Sequence, residues 1–204
     1  MPNVWYPRSA PESARTAPMW ESGLGAFKYT GIEKARMLIP LPFEPTTGAF
    51  TSQGPSAIEA NVGAVLIPCA IEANVFTYNV GTVGSANAVE RFVLFSVDGA
   101  TQLFNITDAV GAASGLRTIT ISPSVLIFPG IYYIFDCLSS GTTSPLTSHW
   151  TTTNGPFNAG GTGEPDIEGV LTITGGAAPT TLDPTALTTP AVDRTLCFRL
   201  DGTD

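Results

Sequence analysis

From about residue 57 onward, short apolar runs alternate with clusters of Gly, Asn, Asp, Ser and Pro. That texture predicts short strands joined by turns. The runs are "GAVLIPCAI", "NVFTYNV", "ERFVLFSVDGATQLFNI", "GLRTITI", "PGIYYIFDCLSS", "EGVLTITGG" and "DRTLCFRLDG". In the third, Asp98-Gly99 separates two apolar segments and predicts a hairpin, because both turn positions of a two-residue loop favour φ > 0. "GLRTITI" sets Leu116, Thr118 and Thr120 against Arg117, Ile119 and Ile121, a period of two. No strand–helix–strand alternation accompanies these runs. The pattern predicts an all-β chain, an antiparallel β-sandwich or jelly-roll-like domain.

"PGIYYIFDCLSS" opens with a turn dipeptide and runs straight into aromatic and β-branched residues. Pro129 and Gly130 predict a reversal, with Pro setting φ at the first turn position and Gly supplying φ > 0 at the second. In the strand that follows, Tyr132, Ile134 and Asp136 face one side, and Ile131, Tyr133, Phe135 and Cys137 the other. The all-apolar second set is the predicted core face, with Tyr132 at the wet edge of the first.

Residues 1–56 have a different texture. Prolines at 2, 7, 11, 18, 40, 42, 45 and 55 exclude a continuous ladder or helix, yet Trp5, Tyr6 and Trp20 are too apolar for a free linker. The expected division is an extended N-terminal docking arm, 1–56, and a β-sandwich domain, 57–204. Trp5, Tyr6 and Trp20 are the candidate partner anchors of the arm, since a proline-rich segment has no core of its own to bury them.

Composition narrows the function classes. The chain is 43% hydrophobic and only 13% charged, which favours a body packed against neighbours. A formal charge of −8 argues against nucleic acid as a partner. Residues 1–36 carry five basic residues against three acids, a net of +2, so the remainder carries −10. No 18-residue apolar run predicts a membrane span, and the basic-then-apolar pattern of a secretory signal is not seen at the start, so synthesis in a cytoplasm is expected.

Candidate chemistry is sparse. His149 is the single histidine, so a histidine triad or multi-histidine metal site has no further member, and its Ser/Thr-rich surroundings predict a loop position. Neither GxSxG, a phosphate-cradling glycine motif, DxDxDG nor HExxH occurs, and neither a catalytic residue nor a cofactor is expected. Glu164, Asp166 and Glu168 are spaced to offer oxygens to calcium from one side of an extended loop; the competing reading is a solvated loop face. Trp150 and Phe157 are the candidates for a glycan-stacking loop, against a competing role as plugs closing one end of the sandwich. Cys69, Cys137 and Cys197 lack CxxC spacing and are expected to be buried free thiols.

Residues 60–200 resemble a β-sandwich domain of tailed-bacteriophage structural and tail-fibre proteins. The resemblance rests on the order of "ERFVLFSVDG", "GLRTITIS", "LIFPGIYYIFDCLSS" and "DRTLCFRLDG". It implies a virion protein without catalytic residues. The expected form is a capsid decoration protein, of the cement or head-fibre kind, attached through the arm to major capsid or tail proteins. The alternative is a tail-fibre or receptor-binding tip that binds host-surface carbohydrate. Low charge and an apolar arm suggest a homo-oligomer, with a trimer as the working guess.

Overall fold

The computed structural model describes residues 34–42, 46–111, 113–152, 168–188 and 195–202, with 46–53 and 151–152 as backbone only. Compact units span Met1–Lys34 and Ala35–Asp204, and every described strand lies in the second. In chain order these are β1 Met37–Leu38, β2 Leu41–Pro42, β3 Thr46–Gln53, β4 Glu59–Ile67, β5 Ile71–Thr82 and β6 Val89–Ser96. There follow β7 Gln102–Ala109, β8 Gly115–Ile127, β9 Gly130–Ser140, β10 Leu146–Thr152, β11 Glu168–Thr172 and β12 Phe198–Gly202. A single 3-10 turn, Pro184–Ala186, is the only helical element among the described residues.

The fold is all-β, a sandwich of two antiparallel sheets. One runs β1-β12-β5-β10-β3, with β8 on the other edge of β5. The second runs β11-β4-β9-β6-β7, with β2 on β4. The ladders take in residues 37–38, 41–42 and 46–53, which the sequence pattern assigns to the arm: β1 pairs with β12, β2 with β4 and β3 with β10. All three are edge strands with one partner each. That is where proline is tolerated, because an edge residue has no partner awaiting its N–H.

The space between the sheets is filled from both sides. Phe76 on β5 is fully buried, packs at a tilt against Phe92 of β6 at 5.0 Å and stacks on Phe198 of β12 at 5.1 Å between ring centroids. Val65, Ile67, Leu94, Ile134 and Leu200 complete this layer, each large apolar side chain contributing about 1.5–3 kcal/mol. The alternation of β8 is as predicted. Ile121 is buried and Ile119 packs on the core, while Leu116 points out, 77% exposed.

On β9 the predicted core face is buried, but not between the sheets. Tyr133, Phe135 and Cys137 lie on the outer face of the second sheet with Ala60, Val62, Val93 and Phe95, under a strap formed by residues 173–187. Ile173, Leu182 and Leu187 of the strap close over them. Backbone hydrogen bonds pin it in place, from Ile173 N to Ile58 O, Gly176 N to Ala57 O and Leu182 N to Gly99 O, each 2.8–2.9 Å. The inward side of β9 carries Ile134 and Asp136, and Tyr132 packs partly against the same core. The strand is therefore the middle of three layers. Both faces are buried, and the apolar one meets the strap instead of the opposite sheet.

Two turns differ from expectation in detail. Asp98-Gly99 does join β6 to β7, but only Gly99 has positive φ, at 68°. The loop closes by Gly99 N donating to Ser96 O, while Asp98 accepts from Ala100 N, a longer connection than the two-residue hairpin loop. Gly99 also meets the strap so closely that any Cβ there would strike the Leu182 carbonyl. Gly130 does not take positive φ. It opens β9 opposite Ile67, and the Tyr132 hydroxyl donates to Phe128 O at 2.9 Å.

Candidate functional site

The titratable side chains that converge do so inside the sandwich. Inward positions on β4, β9 and β10 bring Asn61, Asp136 and His149 together, each 1% exposed or less. Asn61 Nδ2 donates to Asp136 Oδ2 at 3.0 Å. His149 Nδ1 stands 3.1 Å from Thr147 O. A carbonyl only accepts, so that nitrogen carries a proton. Nε2 faces Asn61 Nδ2 and Asp136 Oδ1, each at 3.5 Å. His149 is thus a buried strand residue, and the loop position expected for it is corrected. Its surroundings are partners 88 and 13 residues away in sequence, which its neighbours "TSHWTT" do not reveal.

Next to this group, Asp108 on β7 accepts from Tyr78 Oη at 2.9 Å and from Arg117 at 2.6 Å (Nε) and 2.8 Å (Nη2). Burial pushes the Asp108 carboxyl up, but the Arg117 fork and the Tyr78 hydroxyl outweigh it and hold it below the usual carboxylate range. The same fork raises Arg117. Burial, followed by the charges of Glu90 and Asp108, raises Tyr78. Glu90 on β6 is fully buried, and neither carboxyl oxygen has a hydrogen-bond partner. Burial and then the neighbouring Asp136 charge push it up to about 9. The nearby Tyr78 hydroxyl favours the charged form only in part, because its hydrogen bond goes to Asp108.

The outer face of the first sheet has a different character. A recess of about 330 Å³ opens there, lined by Ile39, Thr77, Asn79, Leu116, Ser148 and Cys197 among others. Its walls are largely apolar. Asn79 Nδ2 donates to Ser148 Oγ at 2.9 Å, and the buried Thr77 Oγ1 has no partner. Such a recess suits an apolar side chain carrying one polar group.

Of the residues singled out from sequence, Trp150 lies in β10 opposite Phe50 of β3, with its backbone N donating to Thr195 O. It is a half-buried strand residue of β10, which corrects the loop position expected for it. Phe157, Trp5, Tyr6 and Trp20 lie outside the described residues, as do Glu164 and Asp166. Glu168 is a buried residue of β11 opposite Gly63, so it belongs neither to a solvated loop face nor to an exposed calcium loop. Among the described residues, no group of three or more acid, histidine or cysteine side chains is arranged to hold a metal.

Compared with known proteins, the chain matches no family model and no curated sequence.

All three cysteines are free thiols, as expected. Only Cys137 is buried, with Sγ 3.4 Å from Gly176 O, and its burial, then the Asp136 charge, push the thiol up to about 12. Cys69 and Cys197 are partly exposed, which corrects the expectation that all three are buried. Burial still raises Cys197 to about 11. The signal missed in the sequence was the inward parity of Asn61, Glu90 and Asp136: three polar residues set in apolar strands, each in register with a core position.

Proposed function

We propose that this chain is a non-enzymatic structural protein of a tailed-phage virion, a capsid decoration protein of the cement or head-fibre kind. It attaches through its N-terminal residues, with Trp5, Tyr6 and Trp20 as anchors, to capsid or tail proteins of the same particle. The reading starts from the order of strand sequences that resembles phage structural domains. The observation that carries it is the separation of chemistry from solvent. Asn61, Asp136 and His149 are sealed between the sheets, while Met37, Ile39, Leu41 and Leu116 stand 48–77% exposed on the outside. Buried polar groups with mutual partners serve the packing of a body, and exposed apolar side chains serve contact with neighbours.

A second reading, a tail-fibre or receptor-binding tip that takes host-surface carbohydrate, draws on Trp150, two residues from Ser148 on β10, whose hydroxyl accepts from Asn79. Antibody labelling of intact particles made by cells that encode the chain, followed by direct imaging, tests the first reading. Regular label over the shell is the expected result. Label at the tail tip, with the purified chain retained on a glycan array, supports the second. Particles bearing no label overturn both.

A further inference from the structure

Glu90 has no place in the reading above, and its surroundings are unusual. It projects from β6 into the space between the sheets, fully buried, and neither oxygen has a partner. On the adjacent strand β9, Asp136 projects to the same side, also fully buried. Two carboxylates so placed cannot both ionise cheaply, because each charge in a poorly hydrated interior repels the other. The hydrogen bonds single out Glu90 as the one left without support for a charge. Asp136 accepts from Asn61 and lies beside His149, whereas neither Glu90 oxygen has a hydrogen-bond partner.

The other charged or titratable groups facing Glu90 leave that assignment intact. From β5 comes Tyr78 and from β7 Asp108; the hydroxyl of the first is spent on the second. From β8 comes Arg117, whose fork is committed to Asp108. His149 of β10 sits on the far side of Asp136, and Glu168 of β11 is separated from β6 by β4 and β9. Across β9, β4 presents Asn61, which does not titrate.

We propose that Glu90 makes the sandwich a proton-dependent lock, closed while this carboxyl holds its proton and loosened when the proton is lost. The direction follows from linkage. An acid whose affinity for its proton is higher in the folded state contributes stability that is fully present below its unfolded value, 4.5, and is lost as pH rises toward its folded value of about 9. Across that window the folding equilibrium weakens by up to about tenfold per pH unit. Asp108, Asp98 and Asp183, all held below 3.8, act only at the acid end and do not mask the effect. The domain is therefore tightest in mild acid and weakens toward alkaline pH.

The test is denaturant unfolding of the full-length chain between pH 5 and 9, wild type beside Glu90→Gln, an uncharged isostere of the protonated acid. Falling stability in wild type and a flattened profile in the variant are expected. A flat wild-type profile, or the same slope in both proteins, overturns the proposal. If the variant fails to fold, the infrared spectrum of the native wild type at pH 7 decides. A protonated-carboxyl band that disappears above pH 9 supports the lock, and its absence at pH 7 sinks it.

Discussion

The two faces of β9 are built on opposite terms. Outward, Tyr133, Phe135 and Cys137 meet an apolar strap held down by backbone hydrogen bonds. Inward, Ile134 joins the aromatic core around Phe76, while Asp136, two residues on, enters a polar group with Asn61 and His149. One strand thus stabilises the domain by water exclusion on one side and by satisfied polar contacts on the other. The difference teaches that an all-apolar face marks burial without naming the layer that buries it. An isolated acid in an apolar run can be as deeply buried as its neighbours.

The largest expected effect comes from the apolar sides. Phe76→Ala, between the sheets, and Phe135→Ala, under the strap, should each cost about 3–5 kcal/mol, read as a shift in denaturant midpoint. Tyr132→Ala, half-buried, should cost clearly less. If Phe135→Ala proved nearly neutral, the strap would not be a core layer and the comparison would collapse.

Next in size is the polar side. Asp108→Asn keeps the shape but weakens the Arg117 fork, and should cost about 1–3 kcal/mol at neutral pH. Because Asp108 is held below its ordinary value of 3.8, its contribution is present above that pH and lost as pH falls through the lower folded value. Wild type should therefore lose this difference in strong acid, and the two proteins' unfolding midpoints should converge there. A gap that stays constant down to pH 2 would remove Asp108 from the account.

How much of this was legible in the chain depends on whether the cause is local. The Asp98-Gly99 reversal and the Arg117, Ile119, Ile121 alternation were readable because a turn and a period of two are set by near neighbours. The core face of β9 was legible as a buried face, but the layer that covers it was not, since sequence parity gives sides and says nothing of what covers them. The strap, residues 173–187, was not read as a layer because Gly, Thr and Pro give it no period. Edge strands β1, β2 and β3 hid among prolines. Buried His149 looked like a loop residue because the groups that satisfy it come from β4 and β9.

The smallest effects concern thiols and surface. Native-state labelling should modify Cys69 and Cys197 before Cys137, whose thiol lies beneath the strap; Cys137 reacting first would mean that the strap opens readily. Leu116→Ser, on the exposed face of β8, should change stability by no more than about 0.5 kcal/mol. A larger loss would place it in a core after all.

The layered burial of β9 is tested most directly by a pair of double-mutant cycles. The strap variant Leu182→Ala/Leu187→Ala is combined with Phe135→Ala in one cycle and with Ile134→Ala in the other, and unfolding free energies are measured for all. Coupling of about 0.5–3 kcal/mol is expected with Phe135, which shares the strap's cluster, and near-additivity with Ile134, which faces the other sheet. Coupling to Ile134 with additivity for Phe135 would reverse the strand and contradict the three-layer account.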